Sequence, residues 1–541
     1  MANKRVLVNG KIFTSNDNQP WAEAVVIDGD RIAYVGDSDG AKAFAGDDAQ
    51  VEDLGGKLVT PGLIDGHLHV FAAIVFDGLL RLDALSPEEM LVKIREDVEA
   101  HPDRPAYTGM GWFDFTFGEA GPNKADLDAI CPDKPMAYLS ASMHTVWCNS
   151  KALEAAGISK DTPDIDPAGG VVYVRDENGE PTGWAKEIAS MDKVMSGAKY
   201  FDDDMIEGAT ERFMQMCSSN GITTVVDCGA ISFMRYLIND ELCAEVDRDE
   251  CPLRMDFCGF AGVAGLYEMA FNASSDYSKK YNGDRFFSNF YKLFNDGTLE
   301  SYSAAIRKPY MDGTVIKPIM TAEELAEKFE ACAKAGINVN VHSIGGSAIH
   351  NVLEAAGIVR EKGYADLRIT CSHCSYVYPE DRELFAKYDV LADTTGLWCS
   401  DPKDEATFDM VKDLTEATPY AMKTIKNAGA RVGLGSDFPT DPTSFPPMQN
   451  MECLVTRRAL GDPDALVHNP EEAFTMEEII RSYTIENAYQ MQREDVLGSV
   501  EVGKYADLTV FDQDLFEVDP FSIHDVKVAE TIKDGLTTYK M

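Results

Sequence analysis

The sequence contains nine histidines among 541 residues, and four of them stand where chemistry is within reach. His67 and His69 close the apolar run 58–70, LVTPGLIDGHLHV. Side chains two apart on a strand point the same way, so these two imidazoles address one place. His342 ends the apolar run 337–345, His373 the run 367–375, and Asp437 the run 431–439. A lone histidine at a strand end is ordinarily a hydrogen-bonded core or rim residue. Four histidines and an aspartate, all at strand ends, form a set. Neutral imidazoles converging on one point are good ligands for a borderline divalent ion such as Zn²⁺.

Three further features bear on that set. Lys292 lies inside the apolar run 286–297, FFSNFYKLFNDG, where a buried cation is costly. Two readings stay open. The amine pairs with an inward carboxylate such as Asp296, or it has taken up CO₂ as a carbamate, an anion able to bridge two metal ions. Asp437, in GLGSDFP, is either a turn or helix N-cap residue or a proton carrier. In the second role it takes the proton of a metal-activated water, whose pKa the metal lowers to about 7, and passes it to the leaving group. Cys371 and Cys374 form a CxxC around His373, with no second CxxC to complete a four-ligand site. They are expected to be packing thiols, with Cys374 a candidate for a supporting contact near the metal.

The elements that must position these residues alternate between strand and helix. Eight candidate strands fall at 58–70, 221–229, 253–260, 286–297, 337–345, 367–375, 389–396 and 431–439. Helical patterns fall at 203–220, 321–336, 346–363 and 418–429, several ending in the glycine that a left-handed C-cap prefers. Strand–helix alternation repeated in this way predicts an α/β fold, a (β/α)8 TIM barrel, whose strand C-termini converge on one face. Both ends of the chain instead read as short strands punctuated by Asn-Gly, Asp-Gly and Gly-Gly. The expected division is a small β-sandwich domain built from both termini, 1–58 with 495–541, and a barrel over 59–494. An inserted subdomain, 72–200, follows the first barrel strand and lies near the barrel mouth.

Composition narrows the partners. With 91 acidic against 49 basic residues and a net charge of −42, the field repels nucleic acid and anionic membrane surfaces. Solubility is the plain reading of this charge; adaptation to a salty environment is the sharper one. The start lacks a signal-peptide core, and no uncharged apolar run reaches the roughly 18 residues of a membrane span. The twelve cysteines are scattered through apolar segments, so reduced, buried thiols and a cytoplasmic location are expected.

The chain resembles the amidohydrolase superfamily over nearly its whole length. TPGLIDGHLH is similar to that superfamily's first-strand motif, GLGSDFP to its last, and LGSVEVGKYADLTVFD to its return strand. Within the superfamily it resembles amidohydrolase family 3, the branch that includes N-substituted formamide deformylase. That likeness rests on GWFDFTFGEAGPNKADLD, SMHTVWCNSKAL, PAGGVVYVRDENGEPTGWAKE and KLFNDGTLESYSAAIRKPY. The resemblance implies that His67 and His69 bind a first metal. Lys292, as a carbamate, bridges it to a second held by His342 and His373; an unmodified lysine leaves a single ion. It implies Asp437 as proton shuttle and His144 as a residue that contacts substrate or polarises its carbonyl, with insert packing the alternative. Trp112 and Asn149 become substrate-binding candidates, a core aromatic being the alternative for Trp112. The implied reaction is hydrolysis of a non-peptide C–N bond in a small amide, N-acyl or N-formyl compound. Deamination, ester or lactone hydrolysis and ring isomerisation on the same site are alternatives, and a non-catalytic scaffold is disfavoured because every ligand position is filled. A homo-oligomer stays open. Three departures from the branch pattern alter the ligands' surroundings: Gly346 where Asp is usual, Ser372-His373-Cys374-Ser375 for "EHxQ", and Lys124 for Arg.

Overall fold

The structure, a computed structural model, describes residues 4–83, 85–118, 120–164, 172–201, 208–229, 251–258, 262, 266–400, 411 and 418–541. Each of the eight apolar runs supplies a strand: β1 (Leu63–Leu68), β2 (Ile222–Asp227), β3 (Arg254–Phe257), β4 (Phe290–Phe294), β5 (Asn338–Ser343), β6 (Ile369–His373), β7 (Val390–Thr394) and β8 (Val432–Leu434). They are buried on both faces, which explains their continuous apolar character. All pairings among them are parallel. The end of the third run, 259–260, and the start of the first helical pattern, 203–207, lie outside the described residues.

Among the described residues the strands form two ladders, with a parallel bridge from Gly262, after β3, to Leu293 of β4. One runs β1-β2-β3 and ends on the short strand Phe286–Phe287; the other runs β4 to β8 in chain order. A side chain takes up backbone groups at each interruption. The run 286–297, read as one strand, breaks at Asn289, whose N–H is taken by the Asp256 carboxylate at 2.9 Å. Between β8 and β1 the Asn487 amide donates to Ile64 O at 2.7 Å and to Leu434 O at 2.8 Å. It thus uses carbonyls that a ladder would use. Glycine is required opposite it: a Cβ at Gly66 or at Gly433 would stand 2.6 Å from Asn487 Oδ1.

The first run also divides. Leu58–Pro61 pairs with Lys11–Phe13 and with Leu508–Phe511 in a six-stranded sheet completed by Trp21–Ala22, Val528–Lys533 and Leu536–Lys540. Strands from both ends of the chain therefore share one sheet. A four-stranded sheet of Arg31–Gly36, Ala24–Asp28, Arg5–Val8 and Gln50–Asp53 lies with it over a core that includes Ile12, Val25, Val59 and Leu508. The chain turns from this sheet into β1 at Gly62, where a Cβ would meet Thr223 Oγ1 at 2.4 Å.

Helices flank the parallel strands. Ala322–Ala335 starts with a reciprocal cap between Thr321 and Glu324 and ends on Gly336 at φ 72°. Ala209–Ser219, Gly346–Glu361 and Met422–Asn427 fill the other predicted positions. The segment after β1 carries a six-stranded sheet of its own, from Leu80–Arg81 to Val172–Arg175, around Trp112, Tyr138 and Trp147. No helix among the described residues is long and apolar enough to cross a membrane.

One charged residue joins β3 to the C-terminal strands. Arg254 is fully buried, paired with Asp507 and Asp534, and lies 4.6 Å from the Tyr505 ring centre. Removing Arg254 strands the Asp507 carboxylate, while Asp534 keeps Lys533 and Arg285. Arg254→Ala is expected to cost roughly 3–5 kcal/mol, measured by guanidinium unfolding; an unchanged midpoint would show that the two carboxylates do not need it.

Candidate metal centre

β1 and β8 end side by side. The Asp65 carboxylate accepts His67 N at 3.2 Å and Ser436 N at 3.0 Å, so one side chain fixes the loop after β8 against β1. Burial pushes this carboxyl up to about 7, with the Ser436 and His67 donors opposing. Asp437 N then donates to His67 O at 2.7 Å and His69 N to Phe438 O at 2.8 Å. Asp437 takes φ 53° and His373 φ 72°, left-handed conformations uncommon for residues with a Cβ and frequent where function dictates geometry.

The ring hydrogen bonds aim the imidazoles. His67 Nδ1 meets the buried Asp393 Oδ2 of β7 at 2.5 Å, and His69 Nδ1 meets Gly229 O at 2.7 Å. A carbonyl oxygen only accepts, so His69 donates from Nδ1 and its Nε2 is the atom left for the mouth. That Nε2 lies 3.2 Å from Asp437 Oδ1, and His67 Nε2 lies 3.5 Å from the same oxygen. Asp437 Oδ1 is buried without a hydrogen bond among the described residues. Single donor atoms of His67, His69 and Asp437 all fall within 4.8 Å of one another. Lone pairs and a carboxylate oxygen so placed repel unless a proton or a metal cation lies between them. Imidazoles whose other nitrogen is held by a carboxylate or carbonyl are the usual form of metal-ligating histidine. The donors fit a divalent ion.

The charges agree with this. Burial, with Lys292 and His69 adding to it, holds the His67 imidazole well below its ordinary range. Burial does the same to His342 and His373, helped by neighbouring imidazoles. Asp437 is pushed up by burial, yet His69, His67 and Lys292 bring it net below the usual carboxylate range. The site thus offers neutral imidazoles at His67, His342 and His373 and an ionised carboxylate, while His69 is raised despite its burial by its contact with Asp437.

His342 and His373 join the cluster at ring-contact distance. His373 lies 4.8 Å from His67 and 4.6 Å from His342 between ring centres. His342 Nε2 faces Gly297 O at 3.2 Å, and Lys292 Nζ lies 3.0 Å from His67 Nε2. These three residues line the same volume without entering the convergence of His67, His69 and Asp437. Lys292, buried as an amine, points along the line on which His67 would meet a metal. Its expected partner Asp296 is engaged elsewhere, accepting from Ile344 N, Gly345 N and Ala305 N at 3.0, 2.7 and 2.9 Å. The ion-pair reading of Lys292 with Asp296 therefore fails.

The sequence model of the amidohydrolase family matches residues 50–539. The chain belongs to the amidohydrolase family. It is accordingly a hydrolytic enzyme. This amidohydrolase is 26% identical to N-substituted formamide deformylase of Arthrobacter pascens, over 99% of this chain and 98% of that one. It is 30% identical to exoenzymes regulatory protein AepA of Pectobacterium carotovorum subsp. carotovorum, over 73% of this chain and 85% of that one. Among solved structures, an uncharacterized metal-dependent hydrolase from Pyrococcus horikoshii OT3 shares the α/β fold, with a TM-score of 0.71 at 23% identity, covering 96% of this chain and 99% of that one.

Two expected substrate contacts of this amidohydrolase are corrected. Trp112 is fully buried in the core of the inserted sheet, and its Nε1 donates to Tyr138 O at 2.8 Å. Asn149 spends its whole amide on the insert. Its Oδ1 accepts from Met136 N and Ala152 N, and its Nδ2 donates to Cys131 O and Lys134 O. Neither has a polar group left for a ligand. His144, by contrast, lies with its ring 5.7 Å from that of His342. The departures from the branch pattern also find their surroundings. At Gly346 an added Cβ would stand 2.2 Å from the Tyr378 ring, so that ring fills the space of the missing side chain. Ser372 Oγ donates to Asn340 Oδ1, Cys374 Sγ to Cys371 O, and Lys124 Nζ to Pro181 O. The described Gly-to-Glu portion of the insert motif begins at 172; Gly169 and Gly170 lie outside the described residues.

Asp393, Asp65 and Asn487 were missed by sequence reasoning. For Asp393 a signal existed: an acid within an apolar strand, the feature that singled out Lys292. Phe294 and Trp398, stacked on His342 and His373 with ring centres 4.7 and 5.9 Å away, were missed as well. Elemental analysis tests the centre. His67→Ala is expected to abolish divalent-ion binding in a folded chain, and Asp393→Ala to weaken it roughly 10–100-fold; full ion content in His67→Ala would remove the assignment.

Proposed function

We propose that this chain is a cytoplasmic, metal-dependent amidohydrolase that cleaves a non-peptide C–N bond in a small amide, N-acyl or N-formyl compound. The observation that carries the reading is the convergence of His67 Nε2, His69 Nε2 and the buried Asp437 Oδ1 in a chain of this family. Likeness to N-substituted formamide deformylase supports the N-acyl class. The two parallel sheets are taken as a (β/α)8 barrel over 59–494 sealed by side chains at its seams. The composite terminal domain of 1–58 and 495–541 and the insert 72–200 complete the architecture.

Zinc is the proposed ion, held by His67, His69 and Asp437. A second ion held by His342 and His373 goes with carboxylation of Lys292. An ion bound there acidifies water and polarises a carbonyl. The chain's own residues do the rest. Asp437 takes the proton of the attacking water and delivers it to the departing amine. The left-handed turn at Asp437 directs its carboxylate back over the imidazoles for this transfer. His144 contacts the substrate, and Phe294 and Trp398 keep the imidazoles' outer faces dry.

Asp437→Asn is expected to cut kcat by about 10²–10⁴, measured on whichever of a panel of N-formyl, N-acyl and cyclic amides the ion-loaded enzyme turns over. Parent-like kcat would exclude the proton-carrying role. Turnover of amino-heterocycles, esters or lactones in place of every amide would move the enzyme to the deaminase or esterase reading. Lys292→Ala should regain part of its activity with short carboxylic acids; intact-mass and density data showing a bare amine in the active enzyme would exclude the carbamate.

A further inference from the structure

His144 reaches the centre on the turn between Met136–Ser140 and Thr145–Cys148. Its Nδ1 lies 3.0 Å from Glu187 Oε2, and Glu187 N donates to His144 O. Main chain and side chain of the same two residues are therefore joined. The second carboxylate oxygen, Glu187 Oε1, accepts from Ser301 Oγ at 3.2 Å. Ser301 follows β4, so Glu187 links the insert to the parallel strands.

The backbone of Glu187 is strained. It takes φ 71° and ψ 154°, a region that residues with a Cβ avoid. Glu187 precedes the helix Ile188–Met195, but its side chain makes no cap hydrogen bond there. Helix capping therefore does not account for the conformation. Its result is to aim the carboxylate at His144 Nδ1. The approach needs space at Gly297, where a Cβ would lie 3.1 Å from Glu187 Oε1 and 2.1 Å from Ser303 Oγ. Glu187 Oε1 accepts from Ser301 and Oε2 faces the ring, so the contact with His144 is an Nδ1–H donated to Oε2, and Nε2 is the atom His144 has left for a ligand.

We propose that Glu187 is a positioning residue: it fixes the His144 ring with Nδ1–H donated to its carboxylate, which turns the Nε2 lone pair to the substrate beside His342, where it accepts from a substrate N–H. The target of Nε2 rests on the reading of His144 under the proposed function; the ring's orientation and proton position do not. An alternative role, a salt link that merely docks the insert, makes different demands. It needs the charge and not the tautomer.

Nitrogen-15 NMR of the full chain labelled at histidine separates these. His144 is assigned by the signals lost in His144→Gln. Protonated Nδ1 is expected in the parent and in Glu187→Gln, whose amide oxygen still accepts. Glu187→Ala should move the proton toward Nε2, the preference of a ring without a partner. Glu187→Asp, one methylene too short for the 3.0 Å contact, gives the same readout if Glu187→Ala does not fold. On a turned-over amide, Glu187→Ala should lower kcat about 10–100-fold, comparable to a lost general acid–base contact, with KM little changed. It should add nothing in a His144→Ala background. Parent-like His144 nitrogen shifts in Glu187→Ala, or a loss that adds fully to that of His144→Ala, would overturn the inference. Failure of the parent to turn over any amide, with the nitrogen shifts as expected, overturns the proposed reaction and leaves the positioning role standing.

Discussion

Two backbone hydrogen bonds, Asp437 N to His67 O and His69 N to Phe438 O, hold the end of β8 against the end of β1. The rest of the site depends on this seam, because it brings the last proposed ligand to the first two from the far end of the parallel strands. The approach is too close for side chains on the facing backbone. A Cβ at Gly435 would stand 2.5 Å from His67 Cβ, and Gly66 and Gly433 make room for the Asn487 amide. Asn487 and Asp65 then bind the carbonyls and amides that a regular ladder would have paired. Buried backbone polar groups must be satisfied somewhere, and here side chains satisfy them. A seam made this way can end in an irregular turn, and that turn aims Asp437.

The second constraint is electrostatic. Imidazoles, an amine and carboxylates share one buried volume, where an unpaired charge is expensive. The structure meets this by keeping His67, His342 and His373 neutral and by supporting the ionised Asp437 with His69, His67 and Lys292. At the centre of this volume one buried carboxylate oxygen lies 3.2 and 3.5 Å from the Nε2 atoms of His69 and His67, with Lys292 Nζ 3.0 Å from the latter. A divalent cation satisfies the oxygen and both ring nitrogens at once. The hydrogen bonds of His67 to Asp393 and of His69 to Gly229 keep the rings from turning away from that point.

Much of this was legible in the sequence. Histidine is rare in the chain, and its placement at the ends of apolar runs marked His67, His69, His342 and His373. The same runs gave the parallel strands, because strands buried on both faces read as continuous apolar segments. Partners contributed from a distance were harder to see. Asn487 and Glu187 lie in ordinary helical or strand-end contexts, and only the fold reveals what they touch. Asp393 carried a readable signal that was passed over. Trp112 and Asn149 misled for a chemical reason: an indole or an amide looks the same in sequence whether it binds a ligand or a carbonyl of its own subdomain. The run 58–70 misled in a different way, since one apolar segment serves two sheets and divides at Gly62.

The most direct measurement is anomalous diffraction at the zinc edge from crystals of the metal-loaded protein. The account predicts a peak about 2.0–2.2 Å from His67 Nε2, His69 Nε2 and an Asp437 carboxylate oxygen. A map with no peak at that point, or with an ion bound only elsewhere on the chain, would contradict it.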